Sequence, residues 1–110
     1  MDFDEQREGG FLIVKPSGRL DSTNAAGFGD ALADRIEKGD AKVVVDLADL
    51  DYISSAGLRI ILKTTKDLKR TEGALILCAM QDYVKEVFEI AGFDSFLPIV
   101  PTVDDALEKL

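Results

Sequence analysis

Apolar residues along this chain fall into two rhythms, short continuous runs and longer stretches that recur every three or four positions. The first run, FLIVKP (Phe11 to Pro16), is apolar and β-branched, and Pro16-Ser17-Gly18 is a turn cluster that leads to a short second strand at Arg19-Leu20. A hairpin is therefore expected to open the fold. Ala25, Phe28, Leu32 and Ile36 then recur at helical spacing until Gly39, behind Asp21-Ser22-Thr23-Asn24, whose side-chain oxygens all suit a helix cap. KVVVDL (Lys42 to Leu47) has the unbroken apolar character of a strand covered on both faces, and a polar, turn-rich stretch separates it from the next helix. There Leu58, Ile61, Leu62, Thr65 and Leu68 lie at i, i+3, i+4, i+7 and i+10, one face of an amphipathic helix ending near Gly73, with Ser54 and Ser55 where N-caps belong. Ala74 to Ala79 is predicted as a buried strand, Asp82 to Ala91 as a helix and Leu97 to Val100 as a short strand. Thr102 begins a last helix with Val103, Ala106, Leu107 and Leu110 on its apolar side. Strand and helix alternate after the hairpin, which predicts an α/β fold with residues 1–110 read as one domain.

Composition narrows the chemistry. Among 110 residues there is no histidine, no tryptophan and one cysteine. That removes imidazole bases, Ser/His/Asp and Cys/His nucleophile pairs, internal disulfides and zinc sites built on Cys and His. The formal net charge of -8 makes nucleic acid or an anionic membrane a poor partner. The apolar runs fall far short of the roughly 20 residues of a membrane span. MDFDEQREGG is acidic from Asp2 and lacks the layout of a secretion signal, so a reducing, cytoplasmic setting is expected. Cys78, inside ALILCAM, is read as a small buried thiol.

The charge is unevenly placed. Arg59, Lys63, Lys66, Lys69 and Arg70 against Asp67 leave residues 59–70 at +4 and the rest of the chain at -12, within the total of -8. Arg59, Lys63, Lys66 and Arg70 share i, i+4, i+7, i+11 spacing and so form one stripe. It is either the wet face of an amphipathic helix or a docking surface for an acidic partner.

The segment richest in chemistry is VVVDLADLDYISSAGLR (Val43 to Arg59), a buried strand delivering a loop that ends in two hydroxyls at a helix start. Backbone N–H groups at Ser55, Ala56, Gly57 and Leu58 are expected to point outward, with the helix dipole behind them and Gly57 permitting close approach, which makes a place for an anion. A phosphate on Ser55 or Ser54 would add about -1.5 to -2 charges and act on a binding partner rather than on the fold. The competing reading is plain N-capping by either serine, worth about 1 kcal/mol. Asp46 as the phosphoacceptor of a receiver domain would need an acidic pair after the first strand and a lysine after the last; FLIVKPSG and LPIVPT supply neither. Asp46, Asp49 and Asp51 lack the glycine and terminal glutamate of an EF-hand loop and are read as loop solvation. A serine hydrolase would need a G-x-S-x-G elbow and a histidine, and both are missing.

GRLDSTNAAGF (Gly18 to Phe28), the VVVDLADLDYISSAGLR segment and the ending from Leu68 to Leu107, with its V-x-x-V-F-x-x-x-G-x-D pattern, occur in the order seen in one family. Through these blocks the chain resembles a stand-alone STAS domain of the anti-sigma factor antagonist family. The resemblance implies a mixed β-sheet of four to five strands with an opening hairpin, packed against about four α-helices. It also implies a bacterial, non-enzymatic phosphoswitch that needs no cofactor and no metal. The unphosphorylated antagonist binds an anti-sigma factor that is also a GHKL-type serine kinase, and the sigma factor is released. The kinase uses ATP to phosphorylate a serine at the start of the switch helix, which weakens the complex, and a PP2C-type phosphatase resets it.

The family's best-known motif, D-S-S-G-L, carries the modification on its second serine. Aligning Gly57-Leu58 places Ala56 at that serine, Ser55 at the first serine and Ser54 at the aspartate. This is a departure, but many members that this chain resembles read I-S-S-A-G-L-R, and in some related STAS proteins the hydroxyl after the aspartate position is the modified one, so the resemblance implies Ser55 as the phosphorylation site and Ser54 as the second choice. Asp21 matches the aspartate of the first block and is expected beside the switch serine, orienting its hydroxyl or the docking kinase, unless it caps the helix. The implied partner-binding face is Asp21, Ser22, Ser54, Ser55, Ala56, Gly57, Leu58, Arg59 and Lys63. Readings from other classes stay open: a STAS module holding a nucleotide or small anion at the helix start, or an adaptor in another signalling, secretion or transport complex. A monomer or weak dimer is expected.

Overall fold

The computed structural model describes residues 2–95 and 97–109. Strand β1 (Phe3–Glu8) turns back into β2 (Phe11–Pro16), antiparallel from Phe3 opposite Pro16 to Glu8 opposite Phe11. Between them Gly9 and Gly10 sit at φ 58° and 85°, the left-handed values that a two-residue hairpin loop demands at both central positions.

The opening hairpin therefore exists, but not between the strands the patterning paired. Strand β1, which the apolar patterning did not mark, lies at the sheet edge and exposes every residue except half-buried Phe3, and its charges guard that edge. Strand β3 (Gly18–Leu20) does not return along β2. Gly18, at φ 84°, turns the chain away and gives its N–H to the Asp49 carbonyl at 3.0 Å. β3 instead runs parallel to β5 (Leu50–Ile53) as a separate two-stranded sheet. β5 occupies the stretch that polarity alone marked as loop, because only Leu50 and Ile53 of its residues are buried.

The remaining elements follow the predicted order. They are α1 (Ala25–Glu37), β4 (Lys42–Asp46), α2 (Ser55–Arg70), β6 (Ala74–Cys78), α3 (Asp82–Ile90), a single 3-10 turn (Phe93–Ser95), β7 (Ile99–Val100) and α4 (Val103–Lys109). The last predicted strand shrinks to Ile99–Val100, and Leu110, assigned to the apolar side of the last helix, lies outside the described residues. The main sheet has the order β1-β2-β4-β6-β7, with β1 antiparallel and the other strands parallel.

One sheet face, from Leu12, Val14, Val43, Val45, Leu75 and Leu77, packs under the apolar sides of α1, α2 and α3, where Phe28, Leu32, Ile61, Leu68 and Phe88 are almost wholly buried. The other face, from Phe11, Ile13, Val44, Ile76 and Cys78, is covered by Ala106 of α4 with Val103 and Leu107 beside it. Two covered faces explain why β4 and β6 read as unbroken apolar runs. Helix α1 can cross closely over α2 because Gly29 has no side chain: a Cβ there would stand 2.9 Å from Ile60 Cδ1. Cys78 is buried as expected, and burial, with the Asp46 carboxylate adding to it, pushes its thiol up to about 12, leaving no thiolate to react. Among the described residues no helix is long and apolar enough to cross a membrane.

Candidate functional site

Strands β3 and β5 run side by side with Leu20 opposite Ile53, so both end at the same level, and each then feeds a helix. The Ser54 N–H donates to the Leu20 carbonyl at 2.9 Å and ties the two exits together. The loop starting at Asp21 and the start of α2 are thus neighbours because of a pairing between chain segments remote in sequence.

The two serines divide the available roles. Ser54 is extended, at φ -97° and ψ 174°, and its Oγ accepts the Gly57 N–H at 3.4 Å. Its carbonyl takes the Leu58 N–H at 3.0 Å. Ser54 is therefore the N-cap, a role worth about 1 kcal/mol. Ser55 is the first residue of α2 and is exposed, and its hydroxyl makes no hydrogen bond among the described residues. The capping that spacing alone left open between the two serines falls to Ser54, and the Ser55 hydroxyl is the one left exposed.

The anion site expected here is smaller than the sequence suggested. Gly57 and Leu58 have committed their N–H groups to Ser54, so Ser55 and Ala56 carry the outward donors. Gly57 also has a different duty from the expected approach to an anion. A Cβ on it would stand 2.8 Å from Ile53 Cγ1, 3.0 Å from Leu20 Cγ and 3.1 Å from the Leu20 carbonyl oxygen, so it lets the helix start lie against the strand ends. The first turn of α2 carries no acidic residue, and the positive end of its dipole is not offset by a carboxylate of its own.

Asp21 is not a helix cap. Its carboxylate accepts the Thr23 hydroxyl at 2.6 Å and the Thr23 N–H at 2.9 Å. Those two bonds, the hydroxyl first, hold its pKa below the usual value, with Arg19 adding a weaker pull. Asn24 precedes α1 but makes no capping bond. Its side chain reaches backward, accepting the Asp21 N–H at 2.9 Å and donating to the Arg19 carbonyl at 2.7 Å. Asp21 lies beside the serine pair through the backbone, while no hydrogen bond joins its carboxylate to Ser54 or Ser55 among the described residues.

The expected face thus separates into parts. Asp21, Ser22, Ser54, Ser55 and Ala56 share one tip, and Gly57 and Leu58 turn into the core beneath it. Arg59 is exposed one turn down the helix; Lys63 is eight positions from Ser55, roughly 12 Å along the axis. The stripe of Arg59, Lys63, Lys66 and Arg70 is exposed throughout, but Asp67 engages Lys63 at 3.3 Å and Arg70 at 3.7 Å. The three loop aspartates do not converge: Asp46 accepts the Ala48 N–H, Asp49 faces Lys15 at 3.5 Å and Asp51 accepts from Gln81.

Sequence reasoning missed an aromatic ladder beside the tip. The Arg19 guanidinium lies 4.1 Å over the Tyr52 ring and 3.9 Å from the Asp21 carboxylate. Tyr52 in turn stacks on Tyr83 of α3, with centroids 6.4 Å apart and rings 25° from parallel. The only available signal was a tyrosine in a polar stretch.

Comparison with known proteins places this geometry in a group. The family model described as STAS domain matches residues 2–106. BtrV of Bordetella bronchiseptica, by name a candidate anti-sigma factor antagonist, is 47% identical over 90 residues, which cover 82% of this chain and 78% of that protein. The crystal structure of a candidate anti-sigma factor antagonist from Thermotoga maritima superposes with a TM-score of 0.93 at 25% identity, covering 97% of this chain and 92% of that one. The anti-sigma factor antagonist SpoIIAA of Bacillus shares the fold at lower identity. Its unphosphorylated form gives a TM-score of 0.85 at 18% identity, covering 98% of this chain and 95% of that one. Its phosphorylated form gives 0.76 at 17%, covering 98% of each.

Proposed function

Since this chain belongs to the STAS domain family, we propose that it is an anti-sigma factor antagonist switched by phosphate on Ser55. Unphosphorylated, it binds an anti-sigma factor serine kinase in the cytoplasm through the tip built from Asp21, Ser22, Ser54, Ser55 and Ala56, and the sigma factor goes free. The observation that carries this reading is the division between the serines: one is fixed as a cap, and the next is exposed with its hydroxyl unengaged.

Phosphoryl transfer to Ser55 forms an Oγ–P bond and breaks the bond between the γ-phosphorus and the bridging oxygen of ATP, so ADP leaves. The hydroxyl proton passes to a base on the kinase, since among the described residues no carboxylate of this chain is hydrogen-bonded to the Ser55 hydroxyl. The new phosphate sits at the helix N-terminus, where the Ser55 and Ala56 N–H groups and the dipole stabilise it and the fold is left unchanged. It places about -1.5 to -2 charges next to Asp21, whose hydrogen bonds keep it ionised. A partner that docks well on one carboxylate then meets a concentrated negative field and dissociates. A phosphatase of the PP2C type restores the hydroxyl. Nucleotide binding at the helix start is less well supported, because only two outward N–H groups remain there.

The test is titration of the anti-sigma factor kinase with the wild-type chain, Ser55→Asp and Ser54→Ala. Ser55→Asp is expected to weaken binding by about tenfold or more and Ser54→Ala by much less. Equal affinity of Ser55→Asp and the wild-type chain would contradict the switch.

A further inference from the structure

Helix α3 has an apolar side wider than the core covers. Val84 and Phe88 point inward and are completely buried. Tyr83 and Ile90, the exposed large hydrophobics among the described residues at 55% and 79% exposure, lie seven positions apart on the same helix. Half-buried Val87, between them, still packs against the core, so Tyr83 and Ile90 extend the apolar side of α3 past its buried edge as an exposed stripe at i, i+7. Core packing does not account for these two residues, and solvation alone would favour charge there. The stripe also continues beyond the helix: Tyr83 stacks on Tyr52, and Arg19 covers Tyr52 and faces Asp21. Tyr52 is two residues before Ser54, so the path ends at the serine tip.

We propose that this path, from Ile90 through Tyr83 and Tyr52 to Arg19, is the second half of the surface on which the anti-sigma factor kinase docks, and that it receives an apolar patch rimmed by lysine and arginine. The proposal rests on the functional reading above. Tyrosine and arginine around an apolar centre are the residues that carry binding energy at protein interfaces. The exposed neighbours set the sign of the partner: Asp51, Asp82, Glu86 and Glu89 outnumber Lys85. A second copy of this chain meeting the same patch across a two-fold axis would set these carboxylates against each other, whereas a basic rim would match them. The basic stripe of α2 is a different face, and its Lys63 and Arg70 are partly neutralised by Asp67.

The experiment is isothermal titration of the full chain against a purified GHKL-type serine kinase from the same organism, held in ADP so that no phosphate is transferred. Ile90→Arg and Tyr83→Ala are each expected to weaken binding by about tenfold or more with thermal midpoints close to wild type. Lys66→Glu, on the α2 stripe, is expected to stay within about twofold. If Ile90→Arg and Tyr83→Ala bind like wild type while Ser55→Asp binds poorly, this surface is refuted and the functional reading stands. If the wild-type chain does not bind the kinase, both fall. If light scattering shows a dimer that Ile90→Arg converts to monomer at unchanged kinase affinity, the stripe belongs to a second copy and the proposal is overturned.

Discussion

The starts of α1 and α2 face each other at the ends of two paired strands, yet they are built to opposite ends. Before α1, every polar side chain with a local partner uses it: Asp21 holds Thr23, and Asn24 holds the Asp21 N–H and the Arg19 carbonyl. Before α2, Ser54 caps and Ser55 is left exposed with its hydroxyl unengaged. Equivalent topology thus gives a hydrogen-bonded, ionised post on one side and an exposed, unengaged hydroxyl on the other. What separates them is where the side-chain oxygens find donors, since the strands that deliver them end level, with Leu20 opposite Ile53.

The largest way to break this arrangement is to push the two helix starts apart. Gly57→Val would drive a side chain into Ile53 and the Leu20 backbone, and a loss of about 1–3 kcal/mol in urea denaturation is expected. Asn24→Ala comes next: it frees the Asp21 N–H and the Arg19 carbonyl, and about 1 kcal/mol should be lost. The Asp21 amide should then exchange faster while that of Gly57 does not. The serine pair gives a sharper contrast at smaller cost. Ser54→Ala should lose about 1 kcal/mol through the missing cap, whereas Ser55→Ala should stay within about 0.5 kcal/mol of wild type.

The smallest effect concerns acid. Asp21 has its folded pKa below its ordinary value of 3.8, so between the two values the unfolded chain binds more protons than the folded one and stability rises with pH there. The contribution is present above about pH 4 and disappears as pH falls through the folded value. Asp21→Asn should flatten that part of a plot of urea midpoint against pH. Glu5, whose pKa is lowered by its hydrogen bond to Arg35, should give a second acid-side decline that Asp21→Asn leaves in place.

Legibility in the sequence followed the range of the interactions. Val43 to Val45 and Leu75 to Leu77 declare buried strands, and Leu58, Ile61 and Leu68 declare a helix face, because burial pattern is local. β1 escaped because an exposed edge strand is supposed to look charged. The pairing of β3 with β5 escaped because it joins short segments remote in sequence, and no periodicity is visible in three residues. With that pairing went the ladder of Arg19, Tyr52 and Tyr83. Both serines were visible as helix-start residues, but which of them caps depends on where the helix begins by one residue. Gly57 was noticed for the wrong contact, since its tight neighbours are Leu20 and Ile53.

The central claim is that Ser54 is structural and Ser55 is the switch. Its most direct test is fragment-level mass spectrometry of the full chain after incubation with its anti-sigma factor kinase and ATP, alongside Ser54→Ala and Ser55→Ala. The expected result is one phosphate on Ser55, retained in Ser54→Ala and absent in Ser55→Ala. Phosphate on Ser54 or any other residue, or on Ser55→Ala to the wild-type extent, would contradict it.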